Sequence, residues 1–293
     1  MKKGSTLMIL FSAIILLVPF FSDAQPIRLI VRGDDMGMTQ GSLLAFEKAF
    51  TEGVLTCASI QVPPPWFEGA AQLARSNPSW CTGVHLTLVG EWRGYRWRPV
   101  LPWDSVRTLV DEDGFLYGYP EELWARRPRL DEINAELRAQ VNLAIKKGLH
   151  VDYLDVHYAS PSDYEGLESI IKNIGKDYNL PISGMLGEKR CPSIYTAPVD
   201  QKTQLAVKML EGLKPGLWLW NTHPGIESPE QSALVHTKPE DVFTDGGVGQ
   251  HRAAETKALI SAEVKSVIQK RGIKLTTYRE LWKERQERGG GQR

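Results

Sequence analysis

The stretch from Ile27 to Gly37, IRLIVRGDDMG, constrains the fold more than any other. A β-branched apolar run (Ile27, Leu29, Ile30, Val31) breaks at Arg32-Gly33 into two adjacent aspartates, Asp34 and Asp35. It reads as a buried strand that delivers two carboxylates at its C-terminal end. In α/β folds the loops leaving that end of the sheet converge, and ligands bind there. Adjacent carboxylates in a partly dry pocket repel, so both stay ionised only beside positive charge, which a metal ion would supply. The ordinary alternative is that Asp34 lies in a turn and Asp35 caps the next helix.

The segments that follow alternate between two periods. Gly41–Gly53 has helical spacing, VLTCASIQV (Val54–Val62) reads as a strand stopped by Pro63, and Phe67–Arg75 as a short amphipathic helix. Cys81–Val89 alternates as a strand and carries His85. Further on come a helix over 130–148, a strand Val151–Val156 running into His157, and a helix Tyr164–Tyr178. A short strand Ile182–Leu186, a helix Gln201–Leu213, an apolar strand Gly216–Thr222 ending in His223, one long helix Arg252–Lys270 and a last strand Ile273–Thr277 complete the pattern. This alternation predicts a single α/β domain over 25–288 with about seven parallel strands, a barrel or an open sheet. The segment Gly90–Pro128 is irregular and rich in Trp, Tyr, Arg and Pro, so Trp92, Tyr95 and Trp97 are candidates to stack on a sugar ring, or else pack the loop onto the domain.

The ends of the chain read differently. Lys2 and Lys3, the apolar run Leu7–Phe21 and the small residues closing at Ala24 make residues 1–24 a secretory signal, so the chain is expected to be an exported, soluble protein, periplasmic or secreted, with no membrane span after cleavage. The tail 289–293 is expected to be disordered. Acidic and basic residues balance at 35 each, which gives no reason to expect nucleic acid and favours a small or neutral partner. Three cysteines, Cys57, Cys81 and Cys191, lack metal-site spacing; sequence leaves any disulfide open, and Cys57 and Cys81 are expected as buried strand residues.

Three of the six histidines, His85, His157 and His223, fall in strands or at strand ends, as Asp34 and Asp35 do. Parallel strands would bring these groups to one point. One carboxylate with two imidazoles makes a ligand set that leaves positions open for water and substrate. Each histidine alone has an ordinary structural explanation, and His150, His236 and His251 are expected to be structural or solvent-exposed.

GDDMGMTQG, VLTCASIQVPPPWF, GVHLTLVGEW, YLDVHYAS, THPG and IKLTTYREL together resemble the YdjC-like carbohydrate deacetylases, relatives of the polysaccharide deacetylases. The resemblance spans essentially the whole chain after residue 24. It implies a distorted (β/α) TIM-like barrel, one divalent metal ion and removal of an acetyl group from an N-acetylated amino sugar or short oligosaccharide. By matching motifs it implies Asp35, His85 and His157 as metal ligands, Asp34 as general base and His223 as general acid. Zn suits such donors, and the resemblance also admits Mg. One departure stands out: where members often read His-Leu-Asp-Ser-His, this chain has Tyr153-Leu154-Asp155-Val156-His157. Asp155 is a candidate to hold an imidazole or a cation, and Arg252 to hold a carboxylate. A metal-dependent phosphoesterase and a non-catalytic sugar-binding barrel are the competing functions; the first would want a second metal or several basic residues to clamp phosphate, which the strand ends do not clearly offer, and the second would be expected to have lost at least one of the five site residues.

Overall fold

The computed structural model describes residues 25–158, 164–238, 243 and 245–290. The predicted export signal and residues 291–293 of the predicted tail lie outside them. Among the described residues no helix is long and apolar enough to cross a membrane.

Strands β1 (Ile27–Met36), β2 (Cys57–Gln61), β3 (Cys81–Leu86), β4 (Val151–Val156), β5 (Lys189–Arg190), β6 (Gly216–Thr222) and β7 (Lys274–Leu275) form one seven-stranded sheet. Its order is β4-β3-β2-β1-β6-β5, with β7 also on β1, and every pairing is parallel. Helices α1 (Gln40–Thr51), α2 (Phe67–Ser76), α3 (Pro120–Ala125), α4 (Leu130–Lys146), α5 (Leu167–Asp177), α6 (Lys202–Gly212), α7 (Pro229–Ser232), α8 (Val248–Ile260), α9 (Ala262–Lys270) and α10 (Tyr278–Gly290) accompany it. The result is a curled, incompletely closed barrel of the distorted TIM-like kind. Strand β1 is central and nearly all buried, which is why it reads as a continuous apolar run.

Alternation along the strands makes two layers of core. Leu29, Val31, Ala58, Ile60, Val84, Leu86 and Leu154 belong to the large cluster shared with the helices. Their neighbours Ile30, Cys57, Cys81, Tyr153 and Leu219 form a small cluster on the concave side with Tyr278 and Leu281 of α10. Stepping two residues along from this inner cluster gives Arg32, Ser59, Gly83, Asp155 and Asn221; two more give Asp34, His85, His157 and His223. The concave face thus grades from apolar to ionisable toward the C-terminal strand ends.

Three differences from the sequence expectations have local causes. The expected strand Ile182–Leu186 shrinks to a bridge between Ile182 and Leu154, because Gly184 (φ +84°) and Gly187 (φ +91°) turn the chain before it pairs at Lys189–Arg190. The expected helix Arg252–Lys270 is two helices, α8 starting at Val248 and α9 at Ala262; Ser261 is extended between them, its hydroxyl accepting from the Val264 N–H. The irregular segment contains α3 and is pinned to α4 by buried Glu136, which accepts the N–H groups of Val100 and Leu101. Cys57 and Cys81 are register neighbours and, like Cys191, free thiols.

Tyr153, the departure from the family motif, has a definite packing role. Its ring lies over Gly83, where an added Cβ would meet ring carbons at 2.6–2.7 Å, and its hydroxyl pairs with Ser59 Oγ at 2.8 Å. Gly83→Ala is therefore expected to destabilise the protein by about 1–3 kcal/mol through overpacking. Chemical denaturation would measure this, and combining it with a smaller residue at 153 should recover most of the loss.

Candidate active site

The site begins at an irregularity in β1. Pairing with β2 shifts register between Gly33 and Met36, and Asp35 takes a left-handed backbone (φ +70°), rare for a non-glycine residue. An added Cβ at Gly33 would meet the Phe46 ring at 2.6 Å, so only glycine lets the chain turn here against α1. Strain of this kind collects at functional sites, where the surroundings enforce it. The two consecutive aspartates consequently meet different partners. Asp34 is gripped by Arg32, Nε to Oδ1 at 2.7 Å and Nη2 to Oδ2 at 2.8 Å. Asp35 accepts from Arg252 Nη2 of α8 through Oδ2 at 2.6 Å, leaving Oδ1 buried with no hydrogen-bond partner.

That Oδ1 completes a triangle. It lies 3.4 Å from His85 Nε2 and 3.2 Å from His157 Nδ1, and the two imidazole nitrogens are 3.2 Å apart. Ligand atoms bound tetrahedrally at about 2.0–2.1 Å stand about 3.3–3.4 Å from one another, so the spacing fits a small divalent cation. The other ring nitrogens are taken up as such a site requires. His157 Nε2–H donates to Glu91 Oε2 at 2.9 Å, directing the Nδ1 lone pair inward, and His85 Nδ1 lies 3.0 Å from Asp155 Oδ2. Asp155 Oδ2 also faces Arg32 Nη1 at 3.1 Å and accepts from Ser59 Oγ at 3.0 Å. Asp155 therefore touches both an imidazole and a cation.

The electrostatics agree with the donor set. Burial would lower the His85 imidazole, but Asp155 and Asp34 raise it to about 10. Burial likewise opposes charge on His157, yet Glu91 and Asp35 raise it to about 9. A carboxylate field that holds protons this firmly also favours a cation in their place. Burial would raise both aspartates; Arg32 holds the Asp34 carboxyl below its usual range, and Arg252 with the two histidines holds Asp35 well below it. Asp155→Asn should weaken metal binding by about 10–100-fold, the usual effect of losing the partner of a ligand imidazole. Metal-buffered titration would measure it; unchanged affinity and activity would remove Asp155 from the site.

Asp34, Asp35, His85, His157, Glu91 and Arg252 line one cavity of about 580 Å³, with Asp155 behind His85. His223 enters from the end of β6: its backbone N–H donates to Glu255 Oε2 at 2.6 Å, its ring Nδ1 is 3.6 Å from the same oxygen, and its ring lies against Tyr195 at 4.3 Å. Burial would raise Glu255, but His223 and Lys202 hold it low and ionised. The structure thus brings together Asp34, Asp35, His85, His157, His223, Asp155 and Arg252.

The aromatic candidates are a correction. Trp92 and Trp97 are 0% and 3% exposed and belong to the core, while Tyr95 donates its hydroxyl to the Met38 carbonyl. None lines the cavity; its aromatic wall is Tyr158, Tyr195 and His236 instead. His236 and His251, expected to be structural or exposed, are both buried, and His236 faces the cavity. Glu91 and Glu255 escaped the sequence argument. Glu255 stands one helical turn from Arg252, a visible same-face signal; Glu91, in an irregular segment, offers none.

Three comparisons bear on these observations. Residues 28–270 match the model of a family described as YdjC-like protein. The chain is 27% identical over 265 residues to a carbohydrate deacetylase of Brevibacillus brevis, covering 87% of this chain and 99% of that protein. It is 28% identical over 263 residues to a carbohydrate deacetylase of Vibrio cholerae, covering 87% and 96%. Among solved structures, an Enterococcus faecalis protein described as a cellobiose-phosphate cleavage protein superposes with a TM-score of 0.69 at 25% identity, covering 87% of this chain and 99% of that one. A peptidoglycan N-acetylglucosamine deacetylase superposes with a TM-score of 0.51 at 11% identity, covering 88% and 89%, a likeness of fold alone.

Proposed function

Since the chain belongs to the YdjC-like family, we propose that it is a metal-dependent carbohydrate deacetylase that hydrolyses the acetamide of an N-acetylated amino sugar or short oligosaccharide. The observation that carries this is the triangle of Asp35 Oδ1, His85 Nε2 and His157 Nδ1, with Asp34 and His223 in the same cavity. A divalent cation held by these three residues, Zn by donor chemistry and Mg as the alternative, would acidify a water and polarise the acetyl carbonyl. Asp34, kept ionised by Arg32, is the base that accepts the water's proton as its oxygen attacks the carbonyl carbon. His223, backed by ionised Glu255, gives a proton to the amide nitrogen as the C–N bond breaks, releasing acetate and the free amine. Glu91 and Asp155 fix which nitrogen of each ligand histidine faces inward. The residue 1–24 signal supports a site of action outside the cytoplasm.

The test is acetate release by the metal-loaded protein from N-acetylated mono- and oligosaccharides, with a phosphoester panel alongside. Acetate from at least one sugar is expected. Phosphoester hydrolysis without acetate would overturn the proposal, and sugar binding with neither reaction would favour a non-catalytic barrel.

A further inference from the structure

His236 does nothing in the scheme above, yet its placement is costly. It is 5% exposed, both of its ring nitrogens are buried with no hydrogen-bond partner among the described residues, and it lines the cavity. A buried polar group without a partner is destabilising, so an apolar ring would serve packing better here. Burial lowers its basicity, so the imidazole facing the cavity is neutral. Its position is firmly built. Residues 235–237 pair with the 91–93 segment, Arg93 N–H donating to Val235 O and Thr237 N–H to Glu91 O, each at 2.7 Å, and Trp92 bridges to His236. The His236 ring packs on Trp92 at 4.4 Å.

Arg252 shares that wall. Its guanidinium carbon is 5.4 Å from the Trp92 ring, and while Nη2 holds Asp35, Nε and Nη1 are buried without partners among the described residues. The wall therefore offers one acceptor and one donor from the neutral imidazole and two further donors from the guanidinium. An anion would call for donors only and a cation for acceptors only. A hydroxyl gives and accepts, and neighbouring hydroxyls on a sugar ring suit this mixture.

We infer that His236, with the unpartnered edge of Arg252, binds hydroxyl groups of the sugar that carries the acetamide and so selects a neutral hydroxylated ring. This rests on the deacetylase proposal for the same cavity. In that role Trp92 acts from below, as a platform for His236, rather than as a sugar-stacking face.

Two measurements with a β-1,4-linked N-acetylglucosamine disaccharide test it: calorimetric binding to the metal-free protein, and acetate release by the metal-loaded one. His236→Phe keeps the ring on Trp92 and removes both nitrogens. It should weaken binding and raise KM by tenfold or more, with kcat within about threefold, metal content unchanged and thermal stability equal or higher, the pattern of lost binding common to ground and transition states. His236→Gln, which retains a donor and an acceptor, should recover part of the affinity. Affinity and KM unchanged in both variants, or a fall in kcat at constant KM, would overturn the inference and leave the deacetylase proposal intact. Sugar binding that His236→Phe weakens, without acetate release by the wild type, would keep the inference and overturn the deacetylase. Neither binding nor release by the wild type would overturn both.

Discussion

Replacing His157 with alanine is expected to remove the metal and, with it, at least about a thousandfold of activity. The nitrogen lost is one corner of a triangle whose sides are 3.2, 3.2 and 3.4 Å. A catalytic cation supplies several kcal/mol of transition-state stabilisation, and each 1.36 kcal/mol is a decade in rate, which gives about a thousandfold or more. The change also leaves Glu91 Oε2 without its buried partner, so a modest loss of stability should accompany it. Metal analysis and acetate release on the same sample separate the two effects. Full metal content with activity lost would move His157 out of the ligand set and into another role.

Asp34→Asn should give the complementary result. Removing a positioned general base costs about 10²–10⁴ in kcat, while Asp34 is not a corner of the metal triangle, so metal content should stay near one per chain. KM should change little if Asp34 acts only as the proton moves. The asparagine cannot accept both bonds of the Arg32 fork, but Arg32 retains Ser183, Asn221 and Asp155 as partners, so the fold should survive. Loss of metal in Asp34→Asn would mean that Asp34 is a ligand, and near-normal kcat would mean that the base lies elsewhere.

The contrast between these two variants depends on what distinguishes two neighbouring aspartates, and that was only partly legible in the sequence. The strand and its double aspartate were readable because a parallel strand buried on both faces shows as an unbroken apolar run. The histidines were readable because strands ending on one side of a sheet bring their last residues together. The pairing of Arg32 with Asp34 could have been foreseen, since residues two apart share a face of a strand. The left-handed turn at Asp35 could not, because it depends on Phe46 of α1 crowding Gly33 and on Arg252 from the far end of the chain.

The aromatic segment shows the opposite failure. Trp92 and Trp97 carry the composition of a sugar platform, yet they form the segment's own core, and composition does not say which way an indole faces in a stretch without a period. Glu91 and His236 reach the site through a pairing of two irregular segments 146 residues apart in sequence, as the Thr237–Glu91 bond shows, a juxtaposition that neither segment announces. The single strand expected at Ile182–Leu186 failed for a simpler reason: Gly184 within it and Gly187 just after it were visible as residues but not as left-handed conformations.

The most direct test is to follow metal content and acetate release from an N-acetylglucosamine disaccharide together, in the wild-type chain as purified, after chelation, and after reloading with Zn or Mg. One bound cation per chain, release abolished by chelation and restored by reloading, is the predicted result. Undiminished release from protein stripped of metal would contradict it.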